Sequence, residues 1–528
     1  MKLDVLNTIP DCRGRCLGAL LLALASTLAI AVALWQLTAA SAGLRVTETQ
    51  VGGVPITLYR PASDAPAPSV VIAHGFAGSR QLMQPYAITL ARNGYLAVTF
   101  DFPGHGRNPA PFVASLMDQE ARLRVLLDAL EPAVGFALEQ PGADGRLALL
   151  GHSMAGDVLA RYGQMHPERV AATVLLSPYL SEDAPTAQLR NLLLVYGELE
   201  PDMLHQQGFK TLAKTVEGGL EAGTLYGDQA DGSARSLMLA EGVEHIGVLY
   251  GRDGLAAALD WLNQTFERTG TGFLDARGPW LGLLYLGLLT LAWPLSRWLP
   301  RAASHPIGAG LRWRRLLPVA LAPALLTPLI LWKLPTDFLP ILLGDYLALH
   351  FAVYGLITAL GVWLTRDNRS GQAQAASERG LILWGGFAIA TIAYLVYIVL
   401  AFSLTTDRFV TTLLPGPERF PLVLAILVGT LLYFVADEWL TRGTGAARGG
   451  YALTKALFLL SLLAAVALNL NELFFLIIIV PAILVFFLVY GVMSGWVYRR
   501  VNHPLVAAIA NGIAFASATA VTFPVVGG

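Results

Sequence analysis

The sequence is short of charge. Asp, Glu, Lys and Arg make up 14% of its 528 residues, against about 25% in an average soluble protein. With a mean hydropathy of +0.56, such a chain is expected to hold membrane-embedded segments. Neither sign of charge is in surplus. The net charge of -1 removes the electrostatic footprint expected of a nucleic-acid binder or of a protein with a strongly acidic ligand. Cysteine is almost missing too: Cys12 and Cys16 both precede the first apolar run, so no disulfide framework can staple the remainder of the chain. Their spacing has no matching histidines or further cysteines, so they read as two ordinary thiols, and neither a metal nor a cofactor is expected. Repeats, low-complexity tracts and long Gly/Ser linkers are absent; residues 368–377 read as one short flexible loop.

What is present in quantity is apolar sequence. Residues 1–16 carry Lys2, Arg13 and Arg15 and are expected in the cytoplasm, whereas 17–42 carry no charge at all. A run of about 20 apolar residues crosses a bilayer as a helix. Ala40-Ser41-Ala42 also resembles a signal-peptide cleavage site, but the run exceeds an h-region of about 7–15 residues, which favours an uncleaved anchor over a removed signal. Either reading places the next stretch, 43–272, across the membrane. From 273 to 528 come apolar spans near 278–296, 316–334, 338–364, 380–404, 420–440, 452–470, 473–497 and 504–526. That is a membrane domain of about eight helices, with the division near Asn469-Leu470-Asn471-Glu472 the least distinct.

Cytoplasmic loops are enriched in Lys and Arg. Counting from a cytoplasmic N-terminus, the loops on that side hold Arg297, Arg301, Arg312, Arg314 and Arg315, then Arg366, Arg369 and Arg379, then Arg442, Arg448 and Lys455, then Arg499 and Arg500. Beyond 43–272, the opposite loops hold only Lys333, Arg408 and Arg419. The expectation is a multi-pass protein with the 43–272 domain outside the cytoplasm. The lack of disulfides and the single-chain multispan design fit a bacterial inner membrane.

Within 43–272 the pattern changes to that of an α/β domain. Short apolar runs at 69–73, 95–101, 147–150, 172–176, 192–196 and 236–240 read as buried strands, with a hairpin over 46–60 turning at Gly52-Gly53. Helical patterns fall at 79–93, at 115–139 with a break expected near Pro132, and at 157–165. Alternating strands and helices imply a mostly parallel sheet. The short 177–191 connection leaves no room for a large lid.

One stretch in this domain carries chemistry: Gly151-His152-Ser153-Met154-Ala155-Gly156, between an apolar run and a helix-like stretch. A serine at the apex of a strand–turn–helix is a nucleophile elbow, where small flanking residues let the backbones nearly touch. The usual second glycine is Ala155 here, with Gly156 one place later. A serine needs a histidine to take its proton and an acid to orient that histidine. Downstream lie Glu198, Glu200 and Asp202 in Tyr196-Gly197-Glu198-Leu199-Glu200-Pro201-Asp202, then Glu244-His245 after the last strand. With His74-Gly75-Phe76 and Asp101-Phe102-Pro103-Gly104-His105-Gly106, these pieces make the 45–267 stretch resemble an α/β-hydrolase, across well under half of the chain.

The resemblance implies attack of Ser153 on an ester, thioester or amide carbonyl, with an acyl-enzyme released by water. It implies His245 as base. The acid stays open: Glu200 occupies the Gly-x-x-acid position counted from Gly197, Asp202 is the more usual residue type, and Glu198 is the third option. The N–H groups of Phe76 and Met154 are the expected oxyanion donors. The expected partners are a small-molecule or lipid ester and the bilayer; oligomeric state stays open. Two other functions are compatible with the pattern: acyl transfer to an envelope glycan or lipid, and a transport or binding protein whose hydrolase domain is inactive. In the membrane region, Asp345 and His350 share one apolar span, and buried ionisable residues there suggest a polar site or pairing between helices. Asp437 and Glu438 are expected at a membrane interface.

Overall fold

The computed structural model describes residues 10–63, 65–113, 118–365 and 382–527, with side chains from residue 17 onward. Lys2, the side chains of Cys12, Arg13, Arg15 and Cys16, residue 115, the 368–377 loop, and Arg366, Arg369 and Arg379 lie outside the described residues. The chain divides into two compact units. One comprises Val32–Leu283, Thr406–Thr412 and Thr522–Gly528; the other comprises Met1–Ala31, Leu284–Thr405 and Leu413–Val521. Two pieces from far along the chain thus join the α/β unit.

That unit is built on an eight-stranded sheet in the order β1-β2-β4-β3-β5-β6-β7-β8. The strands are β1 Leu44–Val51, β2 Val54–Pro61, β3 Ala67–Ala73, β4 Leu96–Phe100, β5 Ala143–His152, β6 Val170–Leu176, β7 Leu192–Gly197 and β8 Arg235–Ala240. The β1–β2 hairpin pairs Val51 with Val54 around Gly52 and Gly53, at φ +57° and +85°. Two successive positive-φ residues match the twist of the flanking strands, and glycine adopts them without strain. β3 to β8 pair in parallel. β3, β4 and β7 are buried along their whole length, and β5 over its second half, as expected where helices cover both faces. The strand order reverses at β3, which pairs with β4 on one side and β5 on the other. The carboxyl ends of strands at such a switch point form a crevice, and the loops after β3 and β5 are those of His74-Gly75-Phe76 and Ser153.

Two helices differ from the sequence expectation. The 79–93 stretch opens as a 3₁₀ turn, Arg80–Met83, and becomes α-helical at Gln84–Arg92, with Pro85 in its first turn. A proline fits there because the first helical N–H groups have no intrahelical acceptor. The helix Gln119–Leu138 starts with the Asp118 carboxylate accepting from the Ala121 N–H at 3.0 Å and runs unbroken through Pro132. Leu130, Ala133 and Val134 are fully buried around the proline, and their packing outweighs a cost of about 3 kcal/mol.

Nine helices among the described residues are long and apolar enough to cross a membrane: Leu17–Ala39, Gly278–Ser296, Trp313–Leu331, Gly344–Leu364, Trp384–Phe409, Pro417–Thr441, Gly450–Leu468, Leu476–Val501 and Pro504–Thr522. They fit a multi-pass membrane protein. A short turn of helix, Leu470–Leu473, separates the pair whose division was least distinct in sequence. Helices Gly344–Leu364 and Phe420–Thr441 touch backbone to backbone. A Cβ on Gly429 would meet the Ala348 carbonyl oxygen at 2.2 Å, and one on Gly355 the Leu432 carbonyl carbon at 2.6 Å. Small residues serve this close approach in apolar surroundings, where dispersion and not water exclusion drives helix association.

Asp437 and Glu438, expected at a membrane interface, lie in the last turns of their helix. Both are buried inside this bundle. Asp437 pairs with Lys455, and Glu438 pairs with Arg442 at 2.9 Å and accepts from the Tyr451 hydroxyl at 2.9 Å. Packing explains the burial: Arg442, one turn on, and Tyr451 and Lys455 on the next helix supply the cations and hydroxyl that make burial of the carboxylates tolerable.

Candidate active site

β5 ends at His152 and the next helix begins at Ala155, so the chain reverses over two residues. Ser153 sits at φ +51°, a conformation costing a non-glycine residue about 1–3 kcal/mol. The turn is held by its backbone: Ser153 N–H donates to Leu176 O (3.0 Å), and Ser153 O accepts from the N–H groups of Gly156 and Tyr179 (both 2.9 Å). Glycine at 151 is required because a Cβ there would lie 2.5 Å from Leu159 and 3.0 Å from the Ala155 methyl. Alanine at the usual second-glycine position therefore fits by using the space that Gly151 leaves. Gly156 is needed in its own right, because a Cβ would lie 2.6 Å from Pro178.

The structure brings Ser153, His245 and Glu200 into one hydrogen-bonded chain. Ser153 Oγ lies 3.1 Å from His245 Nε2, and His245 Nδ1 lies 2.5 Å from Glu200 Oε1. These partners select the imidazole with its proton on Nδ1, leaving Nε2 to accept from the serine. Glu200's side chain is fully buried. Its second oxygen accepts from the Ser177 hydroxyl at 2.7 Å and the Gly197 N–H at 2.8 Å, so both carboxylate oxygens are held by donors. A Cβ on Gly197 would strike Val243 O at 2.4 Å. This close approach, closed by Leu199 N–H to Val243 O at 3.0 Å, lays the His245 loop against the end of β7.

The other acids point elsewhere. Asp202 is exposed in the first turn of helix Asp202–Leu212. Glu198 is exposed and accepts from the Gly242 N–H at 2.9 Å. The remaining histidines have structural partners: His105 Nδ1 bonds Pro103 O at 2.8 Å, His205 Nε2 bonds Gly197 O at 2.9 Å, and His166 lies 3.8 Å from Glu168. Phe76 follows Gly75, whose hypothetical Cβ would lie 2.9 Å from Ser153 Cβ; Met154 follows the serine and caps the helix. Both residues therefore lie beside the Ser153 turn. In the membrane unit, Asp345 stands in the first turn of its helix, since the span begins only at Gly344 after Leu343 at φ +65°. Its carboxylate accepts from the Tyr346 N–H at 2.7 Å. His350 is fully buried, with Nε2 3.2 Å from Ser461 Oγ and its ring against Tyr354 and Phe458. The two residues thus have separate partners.

Three residues to which sequence reasoning assigned no holding role, two of them histidines within the motifs it singled out, pack around the site. Ser177, at φ +43°, donates to Glu200; only its place at the end of a strand beside the elbow marked it. His74, fully buried and neutral because burial lowers its pKa, donates from Nδ1 to Gly75 O (2.7 Å) and accepts the Phe102 N–H at Nε2 (3.0 Å). His152 bonds His245 O through Nε2 at 3.0 Å. Burial first, then the neighbouring His245, pushes its pKa from 6.5 down to about 3.

A histidine with a depressed folded pKa binds its proton more readily in the unfolded chain, so stability is lost as pH falls from about 6.5 toward about 3. Thermal unfolding of the full chain in detergent is expected to show that decline. His152→Gln is expected to flatten it, and an unchanged slope would refute the assignment to His152.

Residues 64–215 match the family described as "Serine aminopeptidase, S33". A monoacylglycerol lipase of Mycolicibacterium smegmatis is 32% identical over 154 residues, which are 29% of this chain and 52% of that protein. The chain thus spans about half the length of this curated relative. Among solved structures, a CIB-like hydrolase from Thermoplasma acidophilum aligns at 15% identity over 42% of this chain and 99% of its own, with a TM-score of 0.32. A membrane phospholipase A described as a bacterial virulence factor aligns at 15% identity over 48% of this chain and 96% of its own, with a TM-score of 0.33. The family match and the mostly parallel eight-stranded sheet identify the α/β unit as an α/β-hydrolase.

Proposed function

We propose that this chain is a multi-pass membrane serine hydrolase that cleaves a lipid-like carboxylic ester through an acyl-enzyme. The observation that carries the reading is the hydrogen-bonded chain from Ser153 Oγ through His245 to buried Glu200. His245 Nε2 takes the serine proton as Oγ attacks the ester carbonyl carbon. The resulting oxyanion is held by the N–H groups of Phe76 and Met154. His245 then returns the proton to the leaving alcohol, leaving the acyl group on Ser153. Water, deprotonated by the same imidazole, releases the acid and restores the serine. Glu200 orients the imidazole and stabilises the imidazolium. An ester of a lipid is favoured because the curated relative is named a monoacylglycerol lipase and because nine candidate spans lie among the described residues.

The hydrolase domain faces the extracytoplasmic side of a bacterial inner membrane in this reading. Loop charges support that orientation, with arginines concentrated on the opposite side. Span counting over the described residues, independently of charge, supports a single side for the whole α/β unit. Nine crossings put the stretch after the first span, the turn between the fifth and sixth, and the residues after the ninth on one side. The α/β unit gathers residues from all three.

A fluorophosphonate probe is expected to label the wild-type protein and not Ser153→Ala, and a membrane-impermeant version is expected to label it in intact spheroplasts. Absence of labelling of folded wild-type protein would sink the enzymatic reading. Labelling by the impermeant probe only after lysis would reverse the orientation.

A further inference from the structure

The loop that carries Phe76 is pinned at both ends, and one pin comes from a distant part of the sequence. At its start, His74 bonds Gly75 O and receives the Phe102 N–H. In its middle, Ala77 takes φ +57°, a left-handed conformation that persists only where the surroundings impose it. At its end stands Ser79, 1% exposed, three residues after Phe76. Ser79 Oγ accepts the Thr412 N–H at 3.0 Å and lies 2.9 Å from Thr411 Oγ1. The Thr412 hydroxyl donates to Gln81 Oε1 at 3.0 Å.

The same short segment, Thr406–Thr412, is anchored to the α/β unit at two more points. Asp407 pairs with Arg107 at 2.6 Å, and Phe409 O accepts from the buried Arg277 at 3.3 Å. In sequence it joins two candidate spans, Trp384–Phe409 and Pro417–Thr441; in space it belongs to the hydrolase unit.

We propose that Thr411 and Thr412 are positioning residues for the oxyanion loop, so that a turn between two membrane spans sets how well Phe76 N–H is aimed at the reacting carbonyl oxygen. The inference rests on the ester-hydrolase reading of Ser153. An oxyanion donor acts through pre-organisation: its worth depends on being in place before charge develops. The strained Ala77 turn has other conformations available to it, and the bonds from Thr411 and Thr412 to Ser79 and Gln81 hold it against them. Losing them leaves substrate binding intact and weakens the transition state, so kcat falls while KM does not change.

The test compares Thr411→Val/Thr412→Val with Thr411→Ser/Thr412→Ser in the full chain in detergent. The readouts are kcat, KM and inhibition by a trifluoromethyl ketone. Ser153 Oγ adds to the carbonyl carbon of this ketone, the serine proton passes to His245, and the carbonyl oxygen becomes the oxyanion. The valine pair is expected to lose roughly tenfold in kcat, short of the 10²–10³ for deleting a donor outright. It should lose ketone affinity by the same factor, with KM unchanged, and the serine pair should restore both. Ser79→Ala removes both bonds at Ser79, including the one from the Thr412 N–H that the valine pair keeps, and should repeat the loss if the valine pair does not fold. Wild-type kcat in the valine pair or in folded Ser79→Ala would overturn the inference, as would a loss confined to KM or a serine pair as impaired as the valine pair. Failure of the wild type to take a fluorophosphonate label would overturn the hydrolase reading itself, and this one with it.

Discussion

Ser153→Ala is expected to lower kcat for ester hydrolysis by roughly 10⁵–10⁶-fold while leaving the fold intact. The residue stands where the parallel sheet's order reverses, at φ +51° between β5 and the following helix. That strain serves exposure: the turn presents Oγ to the crevice above the strand ends, within 3.1 Å of His245. Alanine keeps the Cβ and the backbone bonds to Leu176, Gly156 and Tyr179, so thermal stability should hold while the covalent route closes. The residual rate should be that of an oxyanion hole acting on water attack alone. A variant that keeps more than about a hundredth of wild-type kcat would mean that another nucleophile does the work.

Glu200→Gln is expected to cost roughly 10⁴-fold in kcat, with Asp202→Asn and Glu198→Gln close to wild type. The buried carboxylate accepts three bonds, from His245 Nδ1, the Ser177 hydroxyl and the Gly197 N–H. Ser177 and Gly197 both supply donors to one oxygen, so a glutamine turns its carbonyl to them and its NH₂ to His245. Facing that NH₂, Nδ1 must act as acceptor, and the imidazole proton moves to Nε2, where it blocks acceptance of the serine proton. The loss therefore comes from a wrong tautomer and not from lost packing. Kinetics on the three variants decide it: a large loss in Asp202→Asn with Glu200→Gln within tenfold of wild type would overturn the assignment.

Much of this was legible locally. A strand–serine–helix turn announces itself because only small residues tolerate its crowding, and Gly151 and Gly156 stand where a Cβ would clash. The spans were legible because a helix must bury its backbone polar groups in itself to cross lipid and must carry apolar side chains along its length. Their number and most of their limits derive from that requirement. The start at Gly344 does not, because the apolar residues before it read like helix until Leu343 turns left-handed.

The choice among Glu198, Glu200 and Asp202 was beyond the local sequence. All three are carboxylates within five residues of one another, and only the approach of the Val243–Glu244 backbone to Gly197 decides which of them meets His245. The burial of Asp437 and Glu438 was equally out of reach, since their cations and hydroxyls lie on other helices or other turns. The sequence by itself picked out the serine elbow, the order of its candidate partners and the apolar spans, each written in short-range crowding or hydrophobic length. Only the tertiary structure decided which acid faces the histidine, and that Thr411 and Thr412 grip the loop of Phe76 from over three hundred residues away in sequence. A hydrogen bond between residues so far apart depends on how the whole chain closes, and it leaves no periodicity or motif at either end.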